Sequence, residues 1–157
     1  MREILFRGKS IVSDSPSDPG YWRYGSLINR TYCYDDYTWD TLYILKSTDS
    51  DMDETTEVWP ETVGQYTGTH DKNRRNIFEG DIVKTKYGRL CKVIWFESKM
   101  QSCWDLEPVD TQENIWYTQA PDVYDLWKPD NLEVVGNIHD SPELLKGVTN
   151  VPESTND

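Results

Sequence analysis

Asp81-Ile82-Val83-Lys84-Thr85-Lys86-Tyr87-Gly88-Arg89-Leu90-Cys91-Lys92-Val93-Ile94-Trp95-Phe96-Glu97 is the stretch whose reading decides the fold class. Two runs rich in branched and aromatic residues flank Tyr87-Gly88, the pattern of a β-hairpin whose glycine takes the positive φ that a two-residue loop requires. In the second run Leu90, Ile94 and Phe96 share one parity, and Cys91, Val93 and Trp95 share the other. Both faces of that strand are apolar, which predicts a central place in its sheet.

Working outward, Arg2 to Arg7 reads as a short strand ended by Gly8, and residues 13–20 are turn chemistry throughout. From Tyr21 to Tyr34 rings and branched residues recur at period two, with Trp22, Tyr24 and Ile28 on one parity, which predicts a strand bent at Gly25. Thr41–Leu45, Val63–Thr67, Ser102–Leu106 and Leu132–Ile138 read as further extended segments, the second broken by Gly68 and the third ended by Pro108. The polar run between Lys46 and Val58 has no apolar periodicity and is expected to be a solvated loop, and 109–130 is loop-like with one short helical turn at most. Ser141 followed by Pro142 starts a capped helical turn ending at Leu145. The expected fold is therefore all-β: a small, barrel-like antiparallel sheet by analogy with SH3-like barrels, with the 81–97 hairpin at its centre, long loops and a short C-terminal helical turn. Residues 1–146 are expected to form one domain and 147–157 a disordered tail.

The chain has 157 residues, of which 36% are hydrophobic and 28% charged, proportions that support a globular core. Its seven Trp and ten Tyr argue against intrinsic disorder, because large rings supply the apolar area that disordered chains lack. Apolar runs of four residues, such as Leu42–Leu45, are far short of the ~20 residues of a membrane-spanning helix, so no membrane association is expected. The start Met1-Arg2-Glu3-Ile4 has no secretory apolar core, which makes the cytoplasm the expected location. Cys33, Cys91 and Cys103 form neither a disulfide framework nor a Cys-x-x-Cys pair, and read as free, mostly buried thiols.

Charge is unevenly distributed within the net −12: residues 1–34 carry +2, 35–61 carry −8, 70–99 carry +4 and 100–157 carry −10. The basic island supplies candidate phosphate contacts at Arg74, Arg75, Lys84, Lys86, Arg89 and Lys92, interleaved with Tyr87 and Trp95. Against that reading stand the acidic total and the shared parity of Lys84 and Lys86, which is also the pattern of one solvated strand face.

Several segments, in order, resemble the YopX-like family of phage and prophage proteins. They are Met1–Gly8 with Trp22-Arg23-Tyr24-Gly25, then Pro60–Gly68 with Asp71-Lys72-Asn73, then Ile77–Val83, and finally Glu133–His139 with Pro142–Leu145. The resemblance implies an all-β fold and brings no catalytic residue with it. Residues 49–57 and 108–130 lie outside the pattern. The family-motif residues Gly64, Tyr66, Thr67, Gly68, Asp71, Asn73, Glu79, Gly80 and Asp81 have two readings: a ligand-binding loop using backbone amides with Thr67, Asp71 and Asn73, or shaped turns closed by side-chain-to-backbone bonds. The turn reading is preferred. No P-loop, dinucleotide fingerprint, nucleophile elbow or His-Glu-x-x-His run is present in the sequence, so no cofactor is expected and no catalytic residue is assigned. His70 and His139 each precede an aspartate, a pairing that can orient a base or a metal ligand but that chance alone supplies among 28 acidic residues.

These features favour a non-enzymatic, β-rich interaction protein that self-associates, with a host protein as a further candidate partner. Trp116, Tyr117, Tyr124 and Trp127 are the candidate interface, because their segment lacks the periodicity to bury them in its own sheet. Two alternatives are a nucleic-acid-associated regulator using residues 70–99 and an acidic decoy that imitates DNA before a host enzyme.

Overall fold

The computed structural model describes residues 3–11, 20–46, 54–109 and 126–145. Among the described residues the elements are strands and 3₁₀ turns, and the strands form open antiparallel sheets, so the all-β expectation holds. By its internal contacts the chain divides into two units, residues 1–68 and 69–157.

The first unit contains β1 (Phe6–Lys9), β2 (Trp22–Tyr34), β3 (Tyr37–Lys46), β4 (Glu54–Val58) and most of β5 (Gly64–His70). In its sheet the order is β4-β3-β2-β1-β5. The period-two reading of Tyr21–Tyr34 is realised as the thirteen-residue β2. Gly25 is where this strand changes partner: residues 22–25 pair with β1 and residues 26–34 with β3. A Cβ at Gly25 would lie 2.0 Å from the Leu45 carbonyl oxygen, so the backbones approach there as only glycine permits. The sheet curls until Ser10 bridges Val58, with Trp59 N–H donating to the Lys9 carbonyl at 2.9 Å and Ile11 N–H to the Glu57 carbonyl at 3.0 Å. That contact is one isolated bridge, and the barrel-like expectation resolves into a curled sheet that does not close.

Two local expectations are corrected in this unit. Glu54–Val58, read as part of a solvated loop, is strand β4, paired from Leu42↔Val58 to Lys46↔Glu54. Its polar side chains suit an edge strand, where one neighbour suffices and no apolar alternation is imposed. Gly68 does not end β5, which runs through it to His70 with Gly68 at φ +89°. The thiols also differ from expectation, since Cys91 is buried but Cys33 and Cys103 are exposed.

The second unit carries β6 (Asn76–Phe78), β7 (Asp81–Thr85), β8 (Leu90–Glu97), β9 (Ser102–Pro108) and β10 (Leu132–Asn137). Its four-stranded sheet has the order β10-β7-β8-β9, which places the 81–97 hairpin at the centre as its two apolar faces required. Val83, Cys91, Val93, Leu106, Leu132 and Val134 form the buried face, completed by Ile77 and Leu126. The pairing of β10 with β7 slips between Val134 and Gly136, leaving Val135 39% exposed. Pro142–Leu145 forms the expected helical turn as a 3₁₀ turn beside β10, where a Cβ at Gly136 would meet Ser141 Oγ at 2.7 Å.

The hairpin loop differs from the expected two-residue form. Gly88 N–H donates to the Thr85 carbonyl and Thr85 N–H to the Arg89 carbonyl, both at 2.8 Å, so three residues form the loop and Gly88 takes the left-handed position at φ +81°. In this three-residue loop Tyr87 takes the middle position, and only the third, held by Gly88, requires a left-handed backbone.

Candidate functional site

Asp71 closes a loop of the same kind. It follows β5, and its N–H donates to the Arg75 carbonyl at 2.8 Å while Arg74 N–H donates to the Asp71 carbonyl at 3.0 Å. Arg74 occupies the left-handed position at φ +64°. The Asp71 side chain is fully buried, and its carboxylate accepts three main-chain N–H groups: Asn73 at 2.8 Å and Arg75 at 2.9 Å on Oδ1, and Val134 at 2.9 Å on Oδ2. Burial alone would push this carboxyl up, but the three N–H groups and the Arg75 charge outweigh it and hold the group below the ordinary aspartate value. The turn reading of Asp71 is therefore the one the geometry supports, with most of its acceptor capacity committed to the backbone.

A second aspartate acts similarly. Asp81 is 2% exposed, and its Oδ2 accepts Phe78 N–H at 2.8 Å across the Glu79-Gly80 turn, where Gly80 has φ +80°. Gly80 N–H donates to Val93 and its carbonyl accepts Ile138 N–H, both at 2.9 Å, so this turn is tied to the sheet from both sides. Gly64, Tyr66 and Thr67 are buried residues of β5 and not part of a turn, while Asn73 contributes its N–H to Asp71. The His-carboxylate pairing is not made at His70, whose Nδ1 lies 3.0 Å from the Asp71 carbonyl oxygen and not against its carboxylate. His139 N–H and Asp140 N–H both donate to Asn137 Oδ1, at 3.0 and 2.9 Å. Among the described residues no three His, Cys, Asp or Glu side chains gather as a metal-holding group.

The basic candidates are distributed over several features. Arg74 and Arg75 lie in the Asp71 loop, with Arg75 Nη1 donating to the Val134 carbonyl at 3.3 Å. Lys84 and Lys92 share one sheet face by register, with Glu133 beside Lys84 and Glu107 beside Lys92. Lys92 Nζ is 2.6 Å from Glu107, and Lys72 Nζ is 2.7 Å from Glu133, so this face carries both signs. Lys86 lies over the exposed Tyr87 ring at 5.2 Å, in the loop that Arg89 ends.

The largest exposed aromatic group among the described residues was not singled out from the sequence. Residues 30–34 of β2 and 37–41 of β3 pair only with one another among the described strands, forming a two-stranded arm joined through Asp35-Asp36. Register places Tyr32 opposite Trp39 and Tyr34 opposite Tyr37, all on one face, while Thr31, Cys33, Thr38 and Asp40 take the other. Tyr34, Tyr37 and Trp39 are 70%, 76% and 51% exposed. Tyr32 stacks on Trp39 with centroids 5.5 Å apart, and its hydroxyl is 3.0 Å from that of Tyr43. Arg30 lies over the Tyr43 ring at 5.2 Å. The available signal was Tyr32, Tyr34, Tyr37 and Trp39 arranged symmetrically about an Asp-Asp pair, of which Asp35 takes φ +50° in the structure as the first residue of a two-residue hairpin loop.

Of the sequence-derived interface residues, Trp116, Tyr117 and Tyr124 lie outside the described residues, as does the 147–157 tail. Trp127 is partly buried and packs against the core of the second unit beside Leu126. The first unit also has a cavity of about 120 Å³ lined by Trp22, Arg23, Tyr24, Lys46 and Glu54. It is smaller than the roughly 300–1,000 Å³ of ligand pockets, and Lys46 and Glu54 face each other across it as strand partners. Among the described residues no helix is long and apolar enough to cross a membrane.

Among curated proteins nothing matches the chain. A similar solved structure is the crystal structure of protein EF1440 from Enterococcus faecalis, 19% identical, covering 93% of this chain and 100% of that one with a TM-score of 0.49. The family described as YopX protein matches residues 20–146, a span that includes the Trp22–Gly25, Pro60–Asn73, Ile77–Val83 and Glu133–Leu145 segments. With most of its length matched, the chain belongs to the YopX family.

Proposed function

We propose that this YopX family protein is a non-enzymatic interaction protein, encoded by a phage or prophage, that self-associates in the bacterial cytoplasm. The observation that carries the reading is the gathering of Tyr34, Tyr37 and Trp39, each at least half exposed, on one face of a hairpin arm. Aromatic side chains are enriched at protein interfaces because they bury much area for little lost rotamer freedom, and a contiguous exposed group of them marks a contact surface. Sedimentation of the purified protein from about 1 to 100 μM tests it, a range chosen for interfaces of standard size or smaller. Mass rising with concentration is expected, and a monomer throughout ends the proposal.

A second reading draws on the exposed Lys84, Lys86 and Tyr87 with Arg89 at the β7–β8 loop, which could hold a nucleic-acid phosphate while the ring stacks on a base. Binding of labelled single-stranded DNA that weakens steeply with salt would favour it, and no binding at low salt would end it.

A further inference from the structure

We infer that the aromatic face of the β2–β3 arm is closed by the same face of a second copy of this chain, the two arms packing antiparallel about a twofold axis near Tyr32 and Trp39. The inference rests on the self-association reading and adds to it the surface, the occupant and the orientation.

The arm itself asks for cover. An isolated two-stranded ribbon is marginal in water, and this one places its rings on one face with a polar face behind. At roughly 200 Å² per ring, the exposed fractions of Tyr34, Tyr37 and Trp39 amount to about 400 Å², half of the ~800 Å² that a standard interface buries per partner. Only a surface that is itself aromatic and of similar length matches such a stripe ring for ring, and a second arm is one.

Charge selects the occupant and its direction. The tip carries Asp35 and Asp36, and Arg30 stands on the aromatic face beside Tyr43. Five residues of strand separate Arg30 from Asp35, about 17 Å along the ribbon. Antiparallel packing about an axis midway between them places each Arg30 against the other copy's Asp35 and Asp36, whereas parallel packing stacks acid on acid. A nucleic acid or an anionic membrane is disfavoured on the same ground, because residues 35–61 carry −8.

Two charge variants test the geometry with every ring left in the sequence. Arg30→Glu sets a carboxylate against Asp35 and Asp36 at both ends of the homodimer, and the double variant Asp35→Lys, Asp36→Lys sets ammonium groups against Arg30 at both ends. Each alone should associate at least about tenfold more weakly than the native chain. Mixed in equal amounts they should recover association, because the mixed dimer pairs carboxylates with ammonium groups at one end and Arg30 with Asp35 and Asp36 at the other. The ring variant Tyr37→Ser, Trp39→Ser should weaken association about thirtyfold or more, with the far-ultraviolet circular dichroism of the native protein retained. If the native protein is monomeric at 100 μM, the self-association reading fails and this inference with it. If the native protein associates but the ring variant keeps its mass, the arm is not the interface, and a host protein becomes the occupant to seek. If the ring variant dissociates but the mixed charge variants do not recover, the antiparallel geometry is overturned.

Discussion

Replacing Asp71 with Ala removes the carboxylate that three main-chain N–H groups share. The magnitude follows from where each donor is left. Val134 N–H belongs to a buried bond and has no access to water once orphaned, an effect of about 1–3 kcal/mol. Asn73 and Arg75 are exposed residues whose N–H groups can rehydrate, so each loses about 0.5–1.5 kcal/mol of net bond strength. The total is about 4 kcal/mol, a large part of the 5–15 kcal/mol that stabilises a domain. For a unit of this size that lowers the melting temperature by roughly 15–30 °C. Asp71→Asn is nearly isosteric yet should fare little better, because an amide that turns its oxygen to one side presents NH₂ to a donor on the other. The sign of the pH dependence is fixed by the direction of the shift. The carboxyl is held below its unfolded value near 3.8, so its contribution is complete above that pH and is lost as pH falls through the lower folded value. The native protein and Asp71→Asn should therefore differ most near neutrality and converge in acid. Urea denaturation at pH 7 and pH 3, with amide exchange of Val134 as the local readout, measures both effects. An Asp71→Ala variant within about 1 kcal/mol of the native protein at pH 7 would refute the argument, since one buried orphan already exceeds that.

Two further outcomes follow from loop and core geometry. Arg74 and Gly88 hold equivalent left-handed positions in two loops of one type, so Gly88→Ala should lose about 1 kcal/mol although nothing lies within 4 Å of its Cβ, and Arg74→Gly should gain up to that amount; changes of opposite sign in urea midpoint are the check. Trp127→Ser should destabilise the protein by about 2–4 kcal/mol as a core truncation, measured by the same denaturation; a neutral result would show that its packing against the Leu126 cluster contributes nothing.

How much was legible in the sequence depended on whether the signal was local. The Asp81–Glu97 hairpin could be read because branched residues on both faces, with Gly88 between, allow few other structures. The order β10-β7-β8-β9 puts those two strands inside, as their apolar faces demanded. Strand β4 could not be read from Glu54-Thr55-Thr56, since this edge is held by backbone pairing with β3 and its side chains need no pattern. The loop length at Tyr87-Gly88 was misjudged by one residue because Gly88 suits the left-handed position in either form. Asp71 was recognisable as a turn former, but its bond to Val134, 63 residues away, has no trace in local composition. The arm was missed for another reason: period two predicts a strand without saying which of its faces meets another layer.

The reach of Asp71 has a consequence for the order in which the chain can acquire its structure during synthesis. Asn73 and Arg75 leave the ribosome together with Asp71, so the loop can close while the rest of the second unit is still being made. Val134 emerges 63 residues later, some 3–13 s at ordinary translation rates. Throughout that interval β7 and β8 can form their hairpin with one flank unpaired, because β10 is the strand that covers β7 and caps the remaining carboxylate oxygen. A ribosome stalled before Leu132 would display a sheet edge of the kind that chaperones and other nascent chains engage.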